Sequence, residues 1–427
     1  MREMKDSGVD WIGEIPADWN LEKGKYVFEQ KNDKGNTKNL QLLSPTQKYG
    51  VIPQDEYEEL TGMKAVKLND KVDLNELKTV HKGAFCISLR SFQGGFEYSR
   101  YEGVVSPAYQ IFYPIKPICD DYYRYLFKTD GFIQEMNSYT MSLRDGKNIA
   151  FDDFGNSLIP IPPLNGQNTI AQFLNEKCAE IDSISDDIRK EIETLQEYRK
   201  SVITEAVIKG LDPNVEMKDS GVEWIGEIPK NWELKKGKYV FLQRNERGNA
   251  ICLQLLSPTQ KYGVIPQDKY EELSGMKAVK LNEKVDLSGL KTVHKGAFCI
   301  SLRSFQGGFE YSDYEGVVSP AYQIFYPTRI ICDDYYKYLF KTEGFIQEMN
   351  SFTMSLRDGK NIAFEDFGNS LIPVPPVRIQ NDIAKFLNTK CTEIDSIISD
   401  KQKQLDILAE YRKSLIYEYV TGKKEVV

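Results

Sequence analysis

Residues 167–210 read QNTIAQFLNEKCAEIDSISDDIRKEIETLQEYRKSVITEAVIKG, and they carry one of the clearest helical patterns in the 427-residue chain. Apolar side chains recur every seven residues, and flanking positions at three- and four-residue steps widen this stripe. The heptad positions are Ile181, Ile188, Leu195 and Val202, and the flanking positions are Ile184, Ile192, Tyr198 and Ala206. Gly210 and Pro213 supply a stop, because glycine accepts a positive φ and proline cannot continue a helix. So narrow a seam needs a partner helix, and the same segment returns as residues 380–423.

The chain is one unit that is repeated at an offset of 213 residues, since residues 4–16 (MKDSGVDWIGEIP) recur as residues 217–229 with one substitution. His81 and His294 keep the same offset, so no insertion breaks the register. Roughly four residues in five are identical through the globular part. The period is far too long for a solenoid or a propeller. The sequence therefore predicts a tandem duplication of a whole domain together with its helix.

We predict an α/β (α+β) fold with two similar globular domains, separated by two long antiparallel helices that form a coiled coil around an internal pseudo-two-fold. Short β-branched and aromatic runs between Gly, Pro and Asn indicate strands, and residues 120–137 indicate a helix. The mixed globular parts, called here the first and second bodies, span about residues 20–160 and 233–373. The predicted boundaries are 1–166 for the first domain with its entry segment, 167–210 for the first helix, 211–232 for a linker, 233–379 for the second domain, 380–423 for the second helix and 424–427 for a tail.

Composition indicates an ordinary water-soluble protein, with a mean hydropathy of −0.46 and no run of eighteen apolar residues for a membrane span. The N-terminus lacks the apolar region of a secretory signal, so we expect a cytoplasmic protein with its seven cysteines as thiols. No Cys-x-x-Cys pair is present, which argues against a zinc site. The net charge of −8 counts only weakly against nucleic-acid binding, because phosphate recognition needs a local basic face rather than a basic total.

Three features in order carry a resemblance to a known family: the phrase GLDPNVEMKDSGVEWIGEIPKNWELKKGK at residues 210–238, the LIPIPP junction at 158–163 that leads into the helix, and the duplicated layout. The chain resembles the specificity (S) subunit of type I restriction–modification enzymes, from Met4 to about Lys423. The resemblance implies that residues 20–160 and 233–373 are target-recognition domains that each read half of a split double-stranded DNA site. It also implies that the two helices set the spacing.

The same resemblance implies that the helices dock two methyltransferase (M) subunits, and that restriction/translocase (R) subunits join these. S-adenosylmethionine, ATP and Mg²⁺ are then expected on the partners, with no cofactor in this chain. The family's two recognition domains usually differ, whereas these two are nearly copies. We therefore predict a near-palindromic target, an inverted repeat around a non-specific gap.

Three polar segments are candidates for DNA contact, and each recurs in the second copy. Residues 88–95 (SLRSFQGG) offer Arg and Gln, which read guanine and adenine edges; a tight turn whose Arg pairs with a carboxylate is the alternative. Residues 141–148 (MSLRDGKN) suit phosphate contacts, against a solvated turn with an internal Arg–Asp pair. Residues 44–50 (SPTQKYG) are as consistent with a plain β-turn. The predicted contacts are Lys48, Tyr49, Arg90, Ser91, Gln93, Arg144, Lys147 and Asn148, with Lys261, Tyr262, Arg303, Ser304, Gln306, Arg357, Lys360 and Asn361 in the second copy.

No catalytic pattern is present in the sequence. It lacks a phosphate-binding loop, a glycine-rich loop for S-adenosylmethionine and the Asn-Pro-Pro-aromatic motif of adenine methyltransferases. The single histidine of each copy has no partner at triad or metal-ligand spacing, which favours a structural or exposed role. We therefore expect a non-catalytic chain and no metal site.

Two other functional classes compete with DNA recognition. One is a scaffold that joins two protein- or carbohydrate-binding modules through a coiled coil, without DNA. The other is a stand-alone nuclease or methylase, which activity of the chain alone would support. Several positions differ between the copies, three of them in charge, and we interpret these changes as drift at the periphery: Glu29 to Leu242, Asn39 to Cys252, Glu56 to Lys269 and Arg100 to Asp313.

Overall fold

The computed structural model describes residues 2–34, 40–65, 74–87, 95–139, 149–247, 253–278, 289–300, 308–352 and 362–426. The chain divides into two compact units, Met1–Arg189 with Gln402–Val427, and Lys190–Lys401. Each unit therefore contains one mixed body and one part of each long helix. Among the residues that the structure describes, no helix is long and apolar enough to cross a membrane.

The first copy alternates short strands and helices. Its strands are β1 (Met4–Asp6), β2 (Glu14–Pro16), β3 (Asn20–Lys23), β4 (Phe28–Lys31), β5 (Leu43–Thr46), β6 (Gly50–Pro53), β7 (Lys78–Val80), β8 (Phe85–Ile87), β9 (Phe96–Tyr98), β10 (Gly103–Val105), β11 (Gln110–Pro114) and β12 (Leu158–Ile161). Its helices are α1 (Gln54–Thr61), α2 (Asp120–Leu126), α3 (Asp130–Ser138), α4 (Phe151–Asn156) and α5 (Leu164–Lys209).

The second copy repeats this order. Its strands are β13 (Met217–Asp219), β14 (Glu227–Pro229), β15 (Glu233–Lys236), β16 (Phe241–Arg244), β17 (Leu256–Thr259), β18 (Gly263–Pro266), β19 (Lys291–Val293), β20 (Ala297–Ile300), β21 (Phe309–Ser312), β22 (Gly316–Val318), β23 (Gln323–Pro327) and β24 (Leu371–Val374). Its helices are α6 (Gln267–Ser274), α7 (Asp333–Leu339), α8 (Glu343–Ser351), α9 (Phe364–Asn369) and α10 (Val377–Val420).

A central sheet in the first body has the strand order β4-β11-β8-β9, and all of its pairs are antiparallel. Successive side chains of a strand point to opposite faces, and along β8 both faces are buried. Phe85 and Ile87 pack into a core rich in phenylalanine, while Cys86 between them packs into a second core with Val51 and Val80. Strand β8 is therefore apolar throughout rather than alternating with polar residues.

Residues 120–137 form two helices rather than the predicted single one. The first, α2, ends at Leu126, and Thr129 caps the start of α3 by accepting a hydrogen bond from the Phe132 amide on its side-chain oxygen. A capping threonine satisfies one of the amide groups that a helix start leaves without a partner. Phe127 is fully buried at this bend, so core packing fixes the break.

The long helices begin three residues earlier than the predicted starts at 167 and 380, directly after the prolines of each exit strand. The Gln167 amide donates to the carbonyl of Pro163 at 3.0 Å, so Pro163 stands at the start of the first helical turn. A proline is tolerated there because the N–H group that it lacks would have no partner within the helix. The buried Gln167 side chain also accepts from the Cys119 amide at 2.9 Å. This contact anchors the start of α5 to the body. At the other end, Gly210 adopts φ +80° and terminates the helix.

The predicted antiparallel pairing of the long helices is confirmed in each unit by itself. In the first unit the rings of Phe173 and Tyr419 lie 4.5 Å apart, and further along α5 Asp182 pairs with Arg412. In the second unit Glu191 pairs with Lys401, and later on α5 Arg199 pairs with Asp395 at 2.9 Å. As the residue numbers rise along α5, the numbers of their partners on α10 fall, so the two helices are antiparallel.

The two helices bury a narrower stripe than the sequence predicts. Ile181 is buried, whereas Ile184 and Tyr198, which were expected to widen the seam, are exposed. A two-helix seam covers only one narrow face of each helix, so Ile184 and Tyr198 stay in contact with solvent, whereas the flanking Ala206 is buried.

Each body contacts the end of the helix that belongs to the other copy. The buried hydroxyl of Tyr122 donates to the carbonyl of Val420 at 2.7 Å, and Tyr335 donates to Val207 at 2.8 Å. The two units thus contain the same contact with the helix ends exchanged. In each unit, the body of one copy is therefore joined to the helix end of the other copy by a buried hydrogen bond.

Candidate functional site

Gln110, at the start of β11, contacts the flanks of two of the predicted DNA-contact segments. Its backbone lies opposite Ile87, the last described residue before segment 88–94. Its side chain donates to the carbonyl of Ile149 at 2.9 Å and accepts from the Phe151 amide at 2.7 Å. Ile149 is the first described residue after segment 140–148. One glutamine therefore contacts a flank of each segment at the same end of the central strands β8 and β11.

The second body repeats this arrangement around Gln323. Its side chain donates to the carbonyl of Ile362 at 3.0 Å and accepts from the Phe364 amide at 2.6 Å. A neighbouring glutamine supports it, since Gln243 donates to the Gln323 side-chain oxygen at 3.1 Å. The nitrogen and the oxygen of the Gln323 side-chain amide thus both have hydrogen-bond partners, which holds the orientation of the side chain.

Twelve of the predicted contact residues lie outside the described residues. They are Arg90, Ser91, Gln93, Arg144, Lys147 and Asn148, with Arg303, Ser304, Gln306, Arg357, Lys360 and Asn361 in the second copy. The structure thus describes the flanks of these segments, and their role in DNA contact stays a prediction.

The third predicted segment, residues 44–50, is described in full and forms a hairpin between β5 and β6. The Thr46 hydroxyl donates to the carbonyl of Gly50 and accepts from the Tyr49 amide, both at 3.0 Å, which closes the turn. At its tip the Lys48 ammonium lies 5.0 Å from the centre of the Tyr49 ring, a cation–π contact. Lys261 and Tyr262 make the same contact at 5.0 Å. The structure thus brings together an exposed cation and a half-buried aromatic ring.

Gly50 is required at the end of this hairpin for two reasons. Its φ of +78° falls in the region that favours glycine, and a Cβ atom there would lie 2.7 Å from the carbonyl oxygen of Tyr98. The close approach joins the hairpin to β9, and Val51 and Ser99 form a bridge beside it. The Lys48–Tyr49 tip is therefore positioned by the central sheet rather than by the loop alone.

A cleft of about 220 Å³ lies beside this tip, between the hairpin, α1, β9 and α2. Its lining combines aromatic rings with ionised side chains, which are Tyr49, Tyr98, Tyr101, Glu56, Arg100 and Arg124. The Tyr98 hydroxyl donates to Asp120 at 2.7 Å, and burial raises the pKa of that carboxyl above its ordinary value. Arg124 pairs with Asp121 at 2.5 Å, and the pKa of Asp121 is lowered, since hydrogen bonds from Arg124 and Asn175 outweigh its burial.

The histidines and cysteines show no catalytic arrangement in the described part of the chain. His294 pairs with Glu246 at 2.9 Å and lowers the pKa of that carboxyl, while His81 lies 3.8 Å from Glu102, all of them well exposed to solvent. Across the described ranges no group of three His, Cys, Asp or Glu side chains is placed to hold a metal ion. Each described cysteine is a free thiol.

Sequence reasoning missed the two glutamines and the cleft. Gln110 and Gln323 sit in strands without any motif, so only the fold reveals what they contact. The cleft did leave a signal, because Glu56 and Arg100 both change charge in the second copy. Interpreted singly these changes resembled drift, but the structure shows that the two residues line one cleft.

Comparison with known proteins gives consistent results at three levels. A family model described as the type I restriction modification DNA specificity domain matches the chain twice, over residues 16–194 and 226–406. The chain is 24% identical to the type I restriction enzyme MjaVIII specificity subunit of Methanocaldococcus jannaschii, with 96% of this chain and 94% of that protein aligned. It is 25% identical to the putative type I restriction enzyme MjaX specificity subunit of the same organism, over 63% of this chain and 59% of that protein.

Two solved structures share the fold. A chain from a structure on the complex assembly and conformational transition of the type I R-M system superposes with a TM-score of 0.70 at 13% identity, covering 96% of this chain and 99% of that one. The crystal structure of the HsdS subunit from Thermoanaerobacter tengcongensis gives a TM-score of 0.54 at 13% identity, covering 96% and 98%. At this identity the likeness shows a common architecture.

Proposed function

The chain belongs to the family of type I restriction modification DNA specificity domains and is a specificity subunit, and on that premise we propose that each of its bodies contacts one half of a split double-stranded DNA site. Hydrogen bonds to base edges would specify each half-site, and contacts to phosphates would position the body.

The observation that carries this proposal is the repeated glutamine contact. Gln110 and Gln323 each contact the flanks of two polar, glycine-containing segments at one end of the central strands, and the segments are identical in sequence between the copies. Two identical sets of segments favour two similar half-sites. Because the helices pair antiparallel in each unit, we infer that the half-sites form an inverted, near-palindromic repeat.

The base and phosphate contacts are assigned by chemistry. Arg90 and Gln93, with Arg303 and Gln306, suit bidentate contacts to guanine and adenine. Arg144 and Lys147 suit phosphates. The Lys48–Tyr49 tip adds a cation and a ring that can stack against sugar or base, as does its copy.

The paired helices would separate the half-sites and dock the catalytic partners. Two methyltransferase subunits and the restriction/translocase subunits are the expected partners, and they would carry S-adenosylmethionine, ATP and Mg²⁺. This chain would contribute recognition and assembly rather than chemistry, in the cytoplasm where its DNA is found. These assignments follow the family and the names of its relatives.

Methylome sequencing tests the proposal directly. The chain is expressed with a type I adenine methyltransferase subunit in a host that lacks other methylases, and each protein is expressed alone as a control. We expect a methylated bipartite motif with related, inverted half-sites only when both are present. A methylated motif from the methyltransferase alone, or two unrelated half-sites, would contradict the proposal.

The helix spacer has its own test. Deleting residues 187–193 and 400–406 removes two turns from the middle of each helix and keeps the heptad register. Seven residues at about 1.5 Å each shorten the spacer by about 10 Å, or about 3 base pairs. An unchanged gap in the methylated motif would show that the helices do not set the spacing.

A further inference from the structure

The two bodies differ most sharply in charge at the cleft beside the Lys48–Tyr49 tip. Three positions between residues 20 and 160 reverse the sign of their charge in the second copy, and two of the three line this cleft. Glu56 becomes Lys269, and Arg100 becomes Asp313. The reversals compensate each other, so the cleft keeps its net charge while the positions of cation and anion are exchanged.

In the first body, both charged groups remain accessible at the rim. The Arg100 side chain is 62% exposed and reaches Asp121 only at 3.4 Å, at the long end of a hydrogen bond. The Glu56 carboxylate accepts from the hydroxyl of Tyr101, a residue that is the same in both copies. One ring therefore fixes the acidic group while the guanidinium stays in solvent.

In the second body the equivalent positions, Lys269 and Asp313, carry the opposite charges. The Lys269 ammonium donates to the hydroxyl of Tyr314 at 2.6 Å, in the place that Glu56 takes beside Tyr101. The Asp313 side chain is 60% exposed and lies 4.0 Å from the Lys337 ammonium. The rim residue that offers a cation in one body thus offers an anion in the other.

These residue types read opposite edges of one base pair. Arginine and lysine donate to O6 and N7 of guanine, whereas aspartate and glutamate accept from the N4 amino group of cytosine. A G·C pair presents both edges side by side in the major groove, so an Arg–Glu pair suits one orientation of it. The Asp–Lys pair suits the inverted orientation.

We propose that Arg100 with Glu56, and Asp313 with Lys269, are specificity-determining residues that read one G·C base pair in opposite orientations in the two half-sites. The inference rests on the proposed function, and it makes the target deviate from an inverted repeat at this pair. Because the net charge of the cleft is unchanged, the two bodies retain the same attraction to phosphates.

The experiment compares methylated motifs from cells that carry the chain with its methyltransferase. The wild-type motif should contain two inverted half-sites that match except at one inverted G·C pair. The Glu56→Lys/Arg100→Asp variant copies the second cleft into the first body, and it should make the two half-sites identical. The reciprocal Lys269→Glu/Asp313→Arg variant should do the same in the opposite sense. Each should reverse the base preference at that pair at least about tenfold.

A matched control changes an equal number of residues away from the cleft. Asn20→Glu/Glu22→Lys copies the third reversal and its neighbour, at β3, and should leave the motif as in the wild type. A wild-type motif that is symmetric at every position would overturn the inference, as would an unaltered motif in either cleft variant that still methylates DNA. Loss of methylation in both cleft variants but not in the control would also overturn it, since the change would then be structural. Absence of any wild-type motif would instead refute the proposed function.

Discussion

The side-chain nitrogen of Gln110 donates a hydrogen bond to the carbonyl oxygen of Ile149 at 2.9 Å, and the same side chain accepts one from the Phe151 amide. Ile149 is fully buried, so its carbonyl has little access to water. The contact therefore fixes the position of Ile149, the first described residue after segment 140–148. It links the sheet core to a segment that the proposed function assigns to DNA.

Replacing Gln110 by alanine should release Ile149 and Phe151 from β11. Two buried backbone groups lose their partner, and each costs roughly 1–3 kcal/mol when left unsatisfied. We expect faster hydrogen exchange over residues 149–156 and slower methylation. Gln110→Glu should be intermediate, since it keeps the acceptor for Phe151 and loses the donor to Ile149. The second body is an internal control, because its peptide differs at Glu365 and is separable by mass.

An unchanged exchange rate over residues 149–156 in the alanine variant would show that the glutamine does not hold this segment. Reduced methylation without faster exchange would place its effect elsewhere, for example in a direct contact with DNA.

Much of the fold could be predicted from local patterns and from the repeat. Heptad spacing in residues 167–210 indicated a helix, and the second copy of that segment identified its antiparallel partner. The break at Thr129 could not be predicted, because it depends on burying Phe127 in a core assembled from distant strands. The sequence also did not predict that Ile184 and Tyr198 are exposed. Periodicity shows which residues lie on the apolar face of a helix, but it does not show how much of that face the partner helix covers.

The sequence predicted which types of residue form the candidate site, but it did not predict how they are arranged in space. The sequence singles out Arg90 and Arg144 by their glycine-containing surroundings, but it says nothing about Gln110, which contacts the flanks of both segments. Glu56 and Arg100 are 44 positions apart in the chain, and both line one cleft because Val51 of the hairpin bridges to Ser99, next to β9. Contacts between distant residues of this kind follow from topology.

The exchanged helix ends give a test with neighbouring tyrosines. Tyr122 and Tyr123 are both fully buried, but only Tyr122 donates to Val420; for the Tyr123 hydroxyl no hydrogen-bond partner is found within the described residues. Tyr122→Phe should destabilise the first unit by roughly 1–3 kcal/mol, because the Val420 carbonyl loses its donor. Tyr123→Phe should be neutral or slightly stabilising.

Urea denaturation and hydrogen exchange over residues 413–424 measure this difference. Faster exchange at the end of α10 in Tyr122→Phe alone is the expected result. Equal losses of stability in the two variants would mean that packing of the rings, rather than the hydrogen bond, holds the helix end.

Glu97 should make the stability of the first body depend on pH. Its side chain is buried, and burial raises its pKa from 4.5 to about 7, although Lys128 pairs with it at 2.5 Å and opposes the shift. A carboxyl with a raised pKa in the folded state binds a proton that the unfolded chain releases. Its contribution to stability is therefore complete below about pH 4.5 and is lost as the pH rises through about 7.

Glu97→Gln should remove this dependence. Relative to the wild type, the variant should gain roughly 3 kcal/mol between pH 4 and pH 8, from a shift of about 2.5 pKa units. Urea midpoints measured across this range provide the comparison. Glu310→Gln is the matched variant in the second body, where burial raises the pKa of Glu310 in the same direction. Parallel pH profiles for Glu97→Gln and the wild type would contradict the assignment.

The salt dependence of DNA binding should distinguish residues that read bases from residues that bind phosphates. Arg90→Ala/Arg303→Ala should lower the preference for the specific site over random DNA by about tenfold or more for each half-site, with a small change in salt slope. Lys48→Gln/Lys261→Gln should weaken specific and random binding alike. Its slope of log affinity against log salt should become shallower by about 0.9 for each lost phosphate contact. Titration of the assembled methylase at several salt concentrations measures both quantities.

Lys177→Gln/Lys390→Gln is the charge-matched control, because these lysines occupy equivalent positions on α5 and α10 and pair there with Glu180 and Glu393. It removes the same two positive charges, so any effect of total charge alone must appear in it as well. If its salt slope falls as far as that of the Lys48 and Lys261 variant, then the hairpin tips act only through the overall field. A change confined to the hairpin variant would place phosphates at those tips, beside the cleft that distinguishes the two bodies.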